Sequence, residues 1–279
     1  METKLNYKRT FLIGLAFLSI CSFWQMYDNI IPLILQNTYH LGETMTGAVM
    51  ALDNVLAIFL LPVFGALSDK VHTKLGRRMP FIVAGTILAV IFMMLLPMID
   101  NAEKARWNTG ESFSNQVIFL AVLFFTLVSM GLYRSPAVAL MPDVTPNHLR
   151  SRANAVINLM GAVGGVYALI MIKVLVGKGE TPDYLPLFAS IAAVMAIAVG
   201  ILVITIRENK LREEVEKAEA ANAGTIEEKA MAEGVEAAGE IEAVGDTGEI
   251  KSFDGKKQTG KTEGTKGMPK EVKRSMYFM

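Results

Sequence analysis

Long apolar runs alternate with short polar segments along the first 206 residues of the chain. Six runs stand out, at residues 11–35, 45–67, 81–99, 117–141, 153–176 and 185–206. An α-helix rises about 1.5 Å per residue, so about 20 apolar residues cross the roughly 30 Å hydrocarbon core of a bilayer. The pattern therefore predicts an all-α membrane protein with six transmembrane helices.

The sequence after the sixth run has a different character. Residues 207–279 mix acidic and basic side chains and contain few aromatic ones. The first turns after Arg207 have the i,i+4 charge spacing that favours a helix, so they are expected to extend the sixth span. Beyond Gly224 the composition offers too few apolar residues to form a core. We expect a six-span domain at 1–206, followed by a charged, mostly disordered cytoplasmic linker at 207–279.

The distribution of lysine and arginine predicts the orientation in the membrane, because cytoplasmic loops carry an excess of both. Basic residues cluster before span one, after span two, after span four and after span six. They are Lys4, Lys8 and Arg9; Lys70, Lys74, Arg77 and Arg78; Arg150 and Arg152; and Arg207, Lys210 and Arg212. The loops 36–44, 100–116 and 177–184 are poor in them. We expect those loops outside, both termini in the cytoplasm, and a multi-pass protein of the plasma or inner membrane.

A cleavable signal peptide or a lipid-anchored Cys21 is the weaker alternative for the first run. The run continues to Leu35, which is too long for a signal core, and no small-residue cleavage site follows it. The single cysteine excludes an internal disulfide. The three histidines do not lie at ligand spacing, so no metal site is expected. We likewise expect no cofactor and no nucleic-acid partner.

Two segments carry a family resemblance. They are GALSDKVHTKLGRRMPF (65–81), between spans two and three, and YRSPAVALMPDVTPNHLRSRANA (133–155), from span four into span five. The first resembles the signature loop of the major facilitator superfamily of secondary transporters. Together they resemble the sucrose-transporter-like branch of the glycoside–pentoside–hexuronide:cation symporters. The resemblance implies a twelve-helix fold, of which 1–206 would be the N-terminal half, built from two inverted three-helix repeats.

Small residues and prolines in these segments predict local geometry. Gly65, near the inner end of span two, permits a close approach between helices. Gly76 is expected to make a turn, and Pro80 suits the first turn of span three. Thr145 is predicted to cap the fifth helix, with Pro146 at its first position.

The charged residues of the first segment are expected to form a latch. The resemblance implies that Asp69 and the Arg77/Arg78 pair form a charge network with an acid at the end of span four, for which Asp143 is the candidate. Such a network would close the cytoplasmic side in one conformer and break in the other. The alternative is a set of solvated charges that only fixes the topology.

Two further arginines follow in the second segment. Arg150 and Arg152 are predicted to lie in the first turns of span five, close to the lipid headgroups. A gating role and headgroup anchoring both remain open for them.

Three charged residues are predicted inside the membrane, where an ionisable side chain is by default a candidate functional group. At about 1.5 Å per residue, Asp28 lies about 7 Å outside the midplane, Asp53 about 4 Å outside it and Arg134 about 7 Å inside it. The two acids therefore share a level, which suits the exchange of a proton. Arg134 would then be a counter-charge or a hydrogen-bond donor to a sugar. The alternative is that each charge merely pairs with a polar neighbour in the bundle.

Polar and aromatic neighbours extend this predicted site. Its donors, acceptors and stacking face suit a polyol, and they are Asn29, Asn54, Gln25, Tyr27 and Trp24. Melibiose-type relatives carry two acids one turn apart low in span two, whereas this chain has only Asp53 there. The difference favours coupling to protons over coupling to sodium.

The sequence thus indicates a sugar or glycoside:proton symporter rather than an enzyme, since no nucleophile–base arrangement and no phosphate-binding loop is present. Its expected partners are a sugar-like solute, a proton, the lipid bilayer and a second six-span half. A non-transporting six-span binding or regulatory protein is the alternative, as is a transporter of another small solute. A channel is less favoured, because no span has a polar face that could form a ring.

Overall fold

The computed structural model describes residues 5–71, 73–107, 115–177, 182–217 and 219–220, and these residues are helical apart from short connections. The helices are α1 (Tyr7–Asn37), α2 (Glu43–Met50), α3 (Leu52–Lys70), α4 (Met79–Trp107), α5 (Gln116–Asp143), α6 (Arg150–Leu175) and α7 (Leu185–Thr205). Residues 208–217 form a further helix, α8. All of these residues belong to one compact unit, Met1–Ile226. The disorder predicted beyond Gly224 falls outside the described residues.

The six predicted spans are confirmed. Six stretches are long and apolar enough to cross a membrane: Tyr7–Asn37, Glu43–Lys70, Met79–Arg106, Gln116–Asp143, Asn147–Leu175 and Leu185–Thr205. The second is made of α2 and α3, which meet at Ala51, whose N–H still donates to the Gly47 carbonyl at 2.9 Å. The chain is therefore an integral membrane protein.

The predicted loop 100–116 is wrong in its first part, because α4 continues to Trp107. The extra turns are anchored by buried acidic side chains. Asp100 is fully buried, and it accepts hydrogen bonds from Thr38 Oγ1 and Lys104 Nζ, each at 2.6 Å. Glu103 accepts from the backbone N–H of Asn115 at 3.0 Å. The polar composition of residues 100–107 indicates a loop, but contacts with other parts of the chain hold these residues in a helix.

The packing of the spans repeats with a period of three. Span one (α1) packs against span five (α6), and span four (α5) packs against span two (α3). Span one also packs against span six (α7), as span four packs against span three (α4). If spans one, two and three are renumbered as four, five and six and the reverse, each of these pairs of packed spans turns into the other. Because three spans cross the membrane an odd number of times, the two repeats are inverted relative to each other.

Glycines set the closest helix contacts in the core. A Cβ on Gly164 of α6 would collide with the carbonyl oxygen of Leu18 on α1, and the Gly164 carbonyl accepts a hydrogen bond from Ser22 Oγ at 2.9 Å. On α4, a Cβ on Gly85 would lie 2.6 Å from the backbone nitrogen of Tyr133 on α5. The helices of the core thus approach to backbone contact, as membrane helices with small residues do.

The connections gather at two opposite ends of the bundle. At one end, Arg9 of α1 forms an ion pair with Glu214 of α8 at 2.8 Å, and Glu219 accepts from the backbone N–H of Asn147 at 3.1 Å. We call this the basic end, since the lysine-rich and arginine-rich connections meet there. At the opposite end, the α1–α2 connection, the end of α4 and the start of α7 come together, with Asn101 Nδ2 donating to Asp183 Oδ1 at 2.7 Å.

Candidate functional site

A tight turn at the basic end positions two arginines between α3 and α4. Gly76 has φ +124°, a conformation that glycine adopts at no steric cost, and its N–H donates to the Thr73 carbonyl at 3.1 Å. Thr73 Oγ1 closes the same turn by donating to the Gly76 carbonyl. The turn directs the next two residues, Arg77 and Arg78, back towards the bundle.

These arginines bridge the ends of α3 and α5. Arg78, which is 5% exposed, lies 2.6 Å from Asp69 Oδ1 through Nη2 and 3.0 Å from Asp143 Oδ2 through Nε. Arg77 Nη2 reaches the same Asp143 oxygen at 2.9 Å, and its Nη1 lies 3.6 Å from Asp69. Arg78 Nη1 also donates to the Gly65 carbonyl at 3.1 Å. Two cations and two acids thus form one charge network across three helices.

Gly65 lies where α3 and α5 come close together. A Cβ at this position would lie 3.3 Å from Ser135 Oγ on α5. One turn earlier on α3, the Leu61 carbonyl accepts a hydrogen bond from the same Ser135 hydroxyl at 2.7 Å. The residue therefore combines close approach with a carbonyl that binds Arg78.

Glu208, the first residue of α8, also belongs to this site, although it was not among the residues predicted from the sequence. Its side chain is buried, at 1% exposure, and accepts hydrogen bonds from the backbone N–H groups of Arg77 (3.0 Å), Arg78 (3.1 and 3.0 Å) and Met79 (3.1 Å). A carboxylate at the N-terminus of α4 also interacts favourably with the helix dipole. A Cβ on Gly76 would collide with this carboxylate, so the glycine is needed there for space as well as for its φ. The i,i+4 charge spacing of α8 offered no signal for such a contact.

The second connection of the basic end corrects one prediction. Thr145 does not cap α6, because α6 begins only at Arg150. Pro146 has an extended ψ of 146°, so it does not start a helix, and a 3₁₀ turn, Asn147–Leu149, follows it. Arg150 donates to the carbonyls of Pro142 at 2.9 Å and Thr145 at 3.2 Å, so it closes the end of α5 beside the charge network. Arg152 is exposed and belongs to none of the ion pairs found among the described residues.

Inside the membrane, Asp28 lines a cavity of about 430 Å³ between α1 and α6. Trp24 and Gln25 of α1 line it as well, and α6 contributes Asn158, which was not among the predicted site residues. The cavity therefore combines a carboxylate, two amides and an indole.

Asp53 and Arg134 line a second, much smaller cavity of about 20 Å³ between α3 and α5. Trp24 lines this one too, and the Arg134 guanidinium lies 5.5 Å from the centroid of its ring. The structure thus places the three predicted intramembrane charges around one tryptophan. Among the described residues, no ion pair joins Arg134 to Asp28 or to Asp53.

The two predicted asparagines bond within their own helices. Asn29 Nδ2 donates to the Gln25 carbonyl at 2.6 Å, and Asn54 Nδ2 donates to Asp53 Oδ1 at 2.9 Å. In the same part of α1, Trp24 Nε1 and Tyr27 Oη are buried without a hydrogen-bond partner in the described part of the chain. Buried polar atoms normally have partners, so these two are available to water or to a polar ligand.

Six spans in two inverted repeats, with a charge network in the connection after span two, are the features that the sequence resemblance implied. The family profile of the Major Facilitator Superfamily matches residues 7–250. The chain belongs to the Major Facilitator Superfamily.

The chain is also similar to plant sucrose transport proteins. It is 26% identical over 137 residues to sucrose transport protein SUT3 of Oryza sativa subsp. japonica, which covers 46% of this chain and 27% of the relative. It is 35% identical over 116 residues to sucrose transport protein SUC4 of Arabidopsis thaliana, which covers 39% of this chain and 22% of the relative. The matched region thus spans about a quarter of the length of these relatives.

Proposed function

We propose that this chain is the N-terminal bundle of a secondary active transporter that carries a sugar or glycoside together with a proton, with both termini in the cytoplasm of a plasma or inner membrane. Membership in a transporter superfamily and similarity to sucrose transport proteins support the general class. The observation that carries the proposal is the arrangement of Asp28, Asp53 and Arg134 around Trp24.

The group around Trp24 suits a polyol. An indole ring offers a flat stacking surface, and its Nε1 lacks a hydrogen-bond partner in the described residues. Arg134 supplies only hydrogen-bond donors, whereas an ionised Asp28 supplies only acceptors. Together they can bind a hydroxyl group both as an acceptor and as a donor. Asn158 and Gln25 provide amides of mixed character in the same cavity.

The two carboxylates are proposed as proton carriers. Asp28 and Asp53 lie on neighbouring spans, line cavities that share Trp24, and have a fixed cation nearby in Arg134. A carboxylate inside a membrane is costly when charged, so protonation is coupled to its surroundings. Binding of a solute beside it changes those surroundings, which links movement of the solute to movement of the proton.

A second six-span bundle is the proposed partner. Asp28, Asn29 and Asn54 are all exposed, although they lie within membrane spans. Polar side chains facing lipid at such depth are unfavourable, and they normally face a bundle interior or an aqueous cavity. A second bundle placed over this face would enclose the site between the two halves.

The charge network at the basic end is proposed as the cytoplasmic latch. Its acids lie at the ends of α3 and α5 and its arginines directly precede α4, so a relative movement of these helix ends would break the bonds to Asp69 or to Asp143. Glu208, the first residue of α8, is hydrogen-bonded to the same turn. Alternation between a bonded and a broken network would open and close one side of the site.

The test is solute uptake by the protein completed with its second bundle, measured in vesicles under an imposed pH gradient and, separately, in counterflow. If one of the two acids carries the coupling proton, Asp28→Asn or Asp53→Asn should abolish accumulation against a gradient and retain counterflow. Arg134→Gln should lower both activities, because it acts on binding. Asp183→Asn, at the opposite end of the bundle, is the matched control and should behave as wild type.

Three outcomes would contradict the proposal at different levels. Accumulation like that of wild type in both acid variants would show that the carboxylates are not the coupling groups. Flux of a different solute in place of a sugar would correct only the substrate class. Absence of flux of any solute in the wild-type protein would remove the transport proposal itself and favour a binding or regulatory role.

A further inference from the structure

A separate cavity of about 410 Å³ lies at the basic end, between the start of α1 and the junction of α7 with α8. Four basic side chains line it: Lys8, Arg9, Arg207 and Lys210. Among the described residues, Glu214 is the one acid of the lining, so basic side chains outnumber acidic ones there by three. Neither the intramembrane charges nor the latch residues contribute to this cavity.

The acidic residue in the described part of this lining, Glu214, is already paired. Glu214 Oε2 lies 2.8 Å from Arg9 Nη1, which leaves Lys8, Arg207 and Lys210 without an acidic partner among the described residues. Like charges placed around one concave surface repel each other and raise its potential. An anion that enters the cavity would relieve this repulsion.

The cavity lies at the membrane surface. α1 begins at Tyr7 and α7 ends at Thr205, so the cavity is at the ends of two membrane spans. Tyr7 and Phe11, which are 62% and 51% exposed, present aromatic rings on the same end of α1. Exposed aromatic side chains at the end of a span are typical of the headgroup layer. Leu12 and Ile206 give the cavity an apolar wall on the side of the bundle.

We propose that this cavity binds the phosphate of an anionic phospholipid from the leaflet at the basic end. Lys8, Arg207 and Lys210 would contact the phosphate oxygens, and Leu12 would lie against the glycerol and upper acyl region. Basic pockets between spans on the cytoplasmic side recognise anionic headgroups through this combination of charge and apolar surface. A bound lipid would hold the start of α8 against α1, next to Glu208, and so would stabilise the segment that caps the turn at Gly76.

The experiment uses the 279-residue chain, purified in detergent and freed of native lipid. Its thermal unfolding midpoint is titrated with dioctanoyl phosphatidylglycerol, with dioctanoyl phosphatidylcholine and with inorganic phosphate. We expect a saturable rise with phosphatidylglycerol only, weakened by added salt because the attraction is electrostatic. Each basic residue near an anionic headgroup contributes about a fivefold gain in affinity. The Lys8→Gln/Lys210→Gln double variant should therefore bind about 25-fold more weakly.

The matched control is Lys173→Gln, which removes an exposed cation from the last turn of α6, at the far end of that helix. It should retain the wild-type affinity. An equal response to phosphatidylcholine, or an equal loss in the Lys173 variant, would overturn the proposed site. A response to inorganic phosphate as strong as that to phosphatidylglycerol would identify a free-anion site and overturn the lipid assignment. If the double variant fails to fold, lipid retention by the wild-type protein is measured instead by native mass spectrometry. Preferential loss of the anionic lipid at high salt would support the site. Equal retention of both lipids would overturn it.

Discussion

The Glu208 carboxylate accepts the backbone N–H of Arg78 through both of its oxygens, at 3.1 Å to Oε1 and 3.0 Å to Oε2. The bond joins the segment after span six to the turn after span two, across 130 residues of sequence. The neighbouring N–H groups of Arg77 and Met79 donate to the same side chain. A single buried carboxylate thus satisfies three backbone donors at the N-terminus of α4.

Replacing this carboxylate should destabilise the basic end. Glu208→Gln keeps the shape but loses the charge and one acceptor oxygen, so at least one buried N–H is left without a partner. Hydrogen bonds to charged groups contribute about 1.5–3 kcal/mol, and we expect a loss of that order in the free energy of unfolding. Thermal unfolding in detergent measures it. Glu216→Gln on the same helix, which removes only an exposed pair with Arg212, is the control, and an equal effect in both variants would contradict the prediction.

The two acids of the proposed latch should differ in how much each contributes to solute uptake. Asp143 is 16% exposed at its side chain and binds both arginines at 2.9 and 3.0 Å, whereas Asp69 is 49% exposed. Because solvent screens the more exposed pair, Asp143→Asn should reduce solute uptake more than Asp69→Asn does, with membrane abundance close to wild type in both. Uptake assays with quantitative immunoblots check this. Wild-type uptake in both variants would reduce the network to a determinant of topology.

The contact between α1 and α6 depends on the absence of a side chain at Gly164. In Gly164→Ala the new Cβ would collide with the Leu18 carbonyl, which belongs to the backbone and cannot rotate away. We expect destabilisation of about 1–3 kcal/mol, as for other overpacked sites. Gly200→Ala on α7 is the matched control, because nothing lies within 4 Å of its Cβ position. Equal unfolding midpoints of the two variants would show that the helices separate without cost.

Tyr39 at the opposite end offers a test of an unsatisfied buried hydroxyl. Its side chain is 8% exposed, and Oη has no hydrogen-bond partner in the described residues. Tyr39→Phe should therefore leave stability at neutral pH unchanged or raise it. The control is Tyr133→Phe, which loses bonds to Ser19 Oγ (2.7 Å) and to the Ala16 carbonyl (3.0 Å) and should be destabilised. The reverse order of the two variants would mean that Tyr39 is bonded in solution.

The same residue predicts a pH dependence. Burial, followed by the nearby charges of Asp100 and Glu103, raises the pKa of Tyr39 above its ordinary value of 10.0. The unfolded chain therefore loses this proton first, so the contribution of Tyr39 to stability is complete below about pH 10 and is lost as the pH rises beyond it. Thermal unfolding at a series of alkaline pH values should show a steeper decline for the wild type than for Tyr39→Phe. Parallel curves would contradict the assignment.

The proposed orientation is tested by labelling from outside. In a Cys21→Ser background, Glu43→Cys at the start of α2 and Lys74→Cys in the α3–α4 turn are both exposed and lie at opposite ends of the bundle. A membrane-impermeant maleimide added to intact cells should label position 43 and not position 74 until the cells are opened. Labelling at 74 alone would reverse the topology.

The order of apolar and polar residues along the chain determined the six spans and the grouping of their connections at two ends. Crossing a bilayer requires a fixed length of apolar helix, and that requirement is read directly from consecutive residues. The turn at Gly76 was predicted from the connection itself, whereas the latch candidates Asp69, Arg77, Arg78 and Asp143 came from the resemblance of this segment to the superfamily's signature loop. The end of span three was misjudged, because the polar residues of Asp100–Trp107 stay helical through contacts with other parts of the chain.

Only the tertiary structure decided which side chains meet across helices. It brought Glu208 to the turn at Gly76 and left Asn29 and Asn54 bonded within their own helices. It also placed Asp28 and Asn158 around one cavity and Asp53 and Arg134 around another. Membrane insertion depends on the summed hydrophobicity of a local segment, which the sequence states residue by residue. A hydrogen bond or an ion pair between two helices forms only when their rotation and their position along the membrane normal are correct to within a few ångströms. Helix packing sets both, in this bundle through contacts such as that of Gly164 with Leu18.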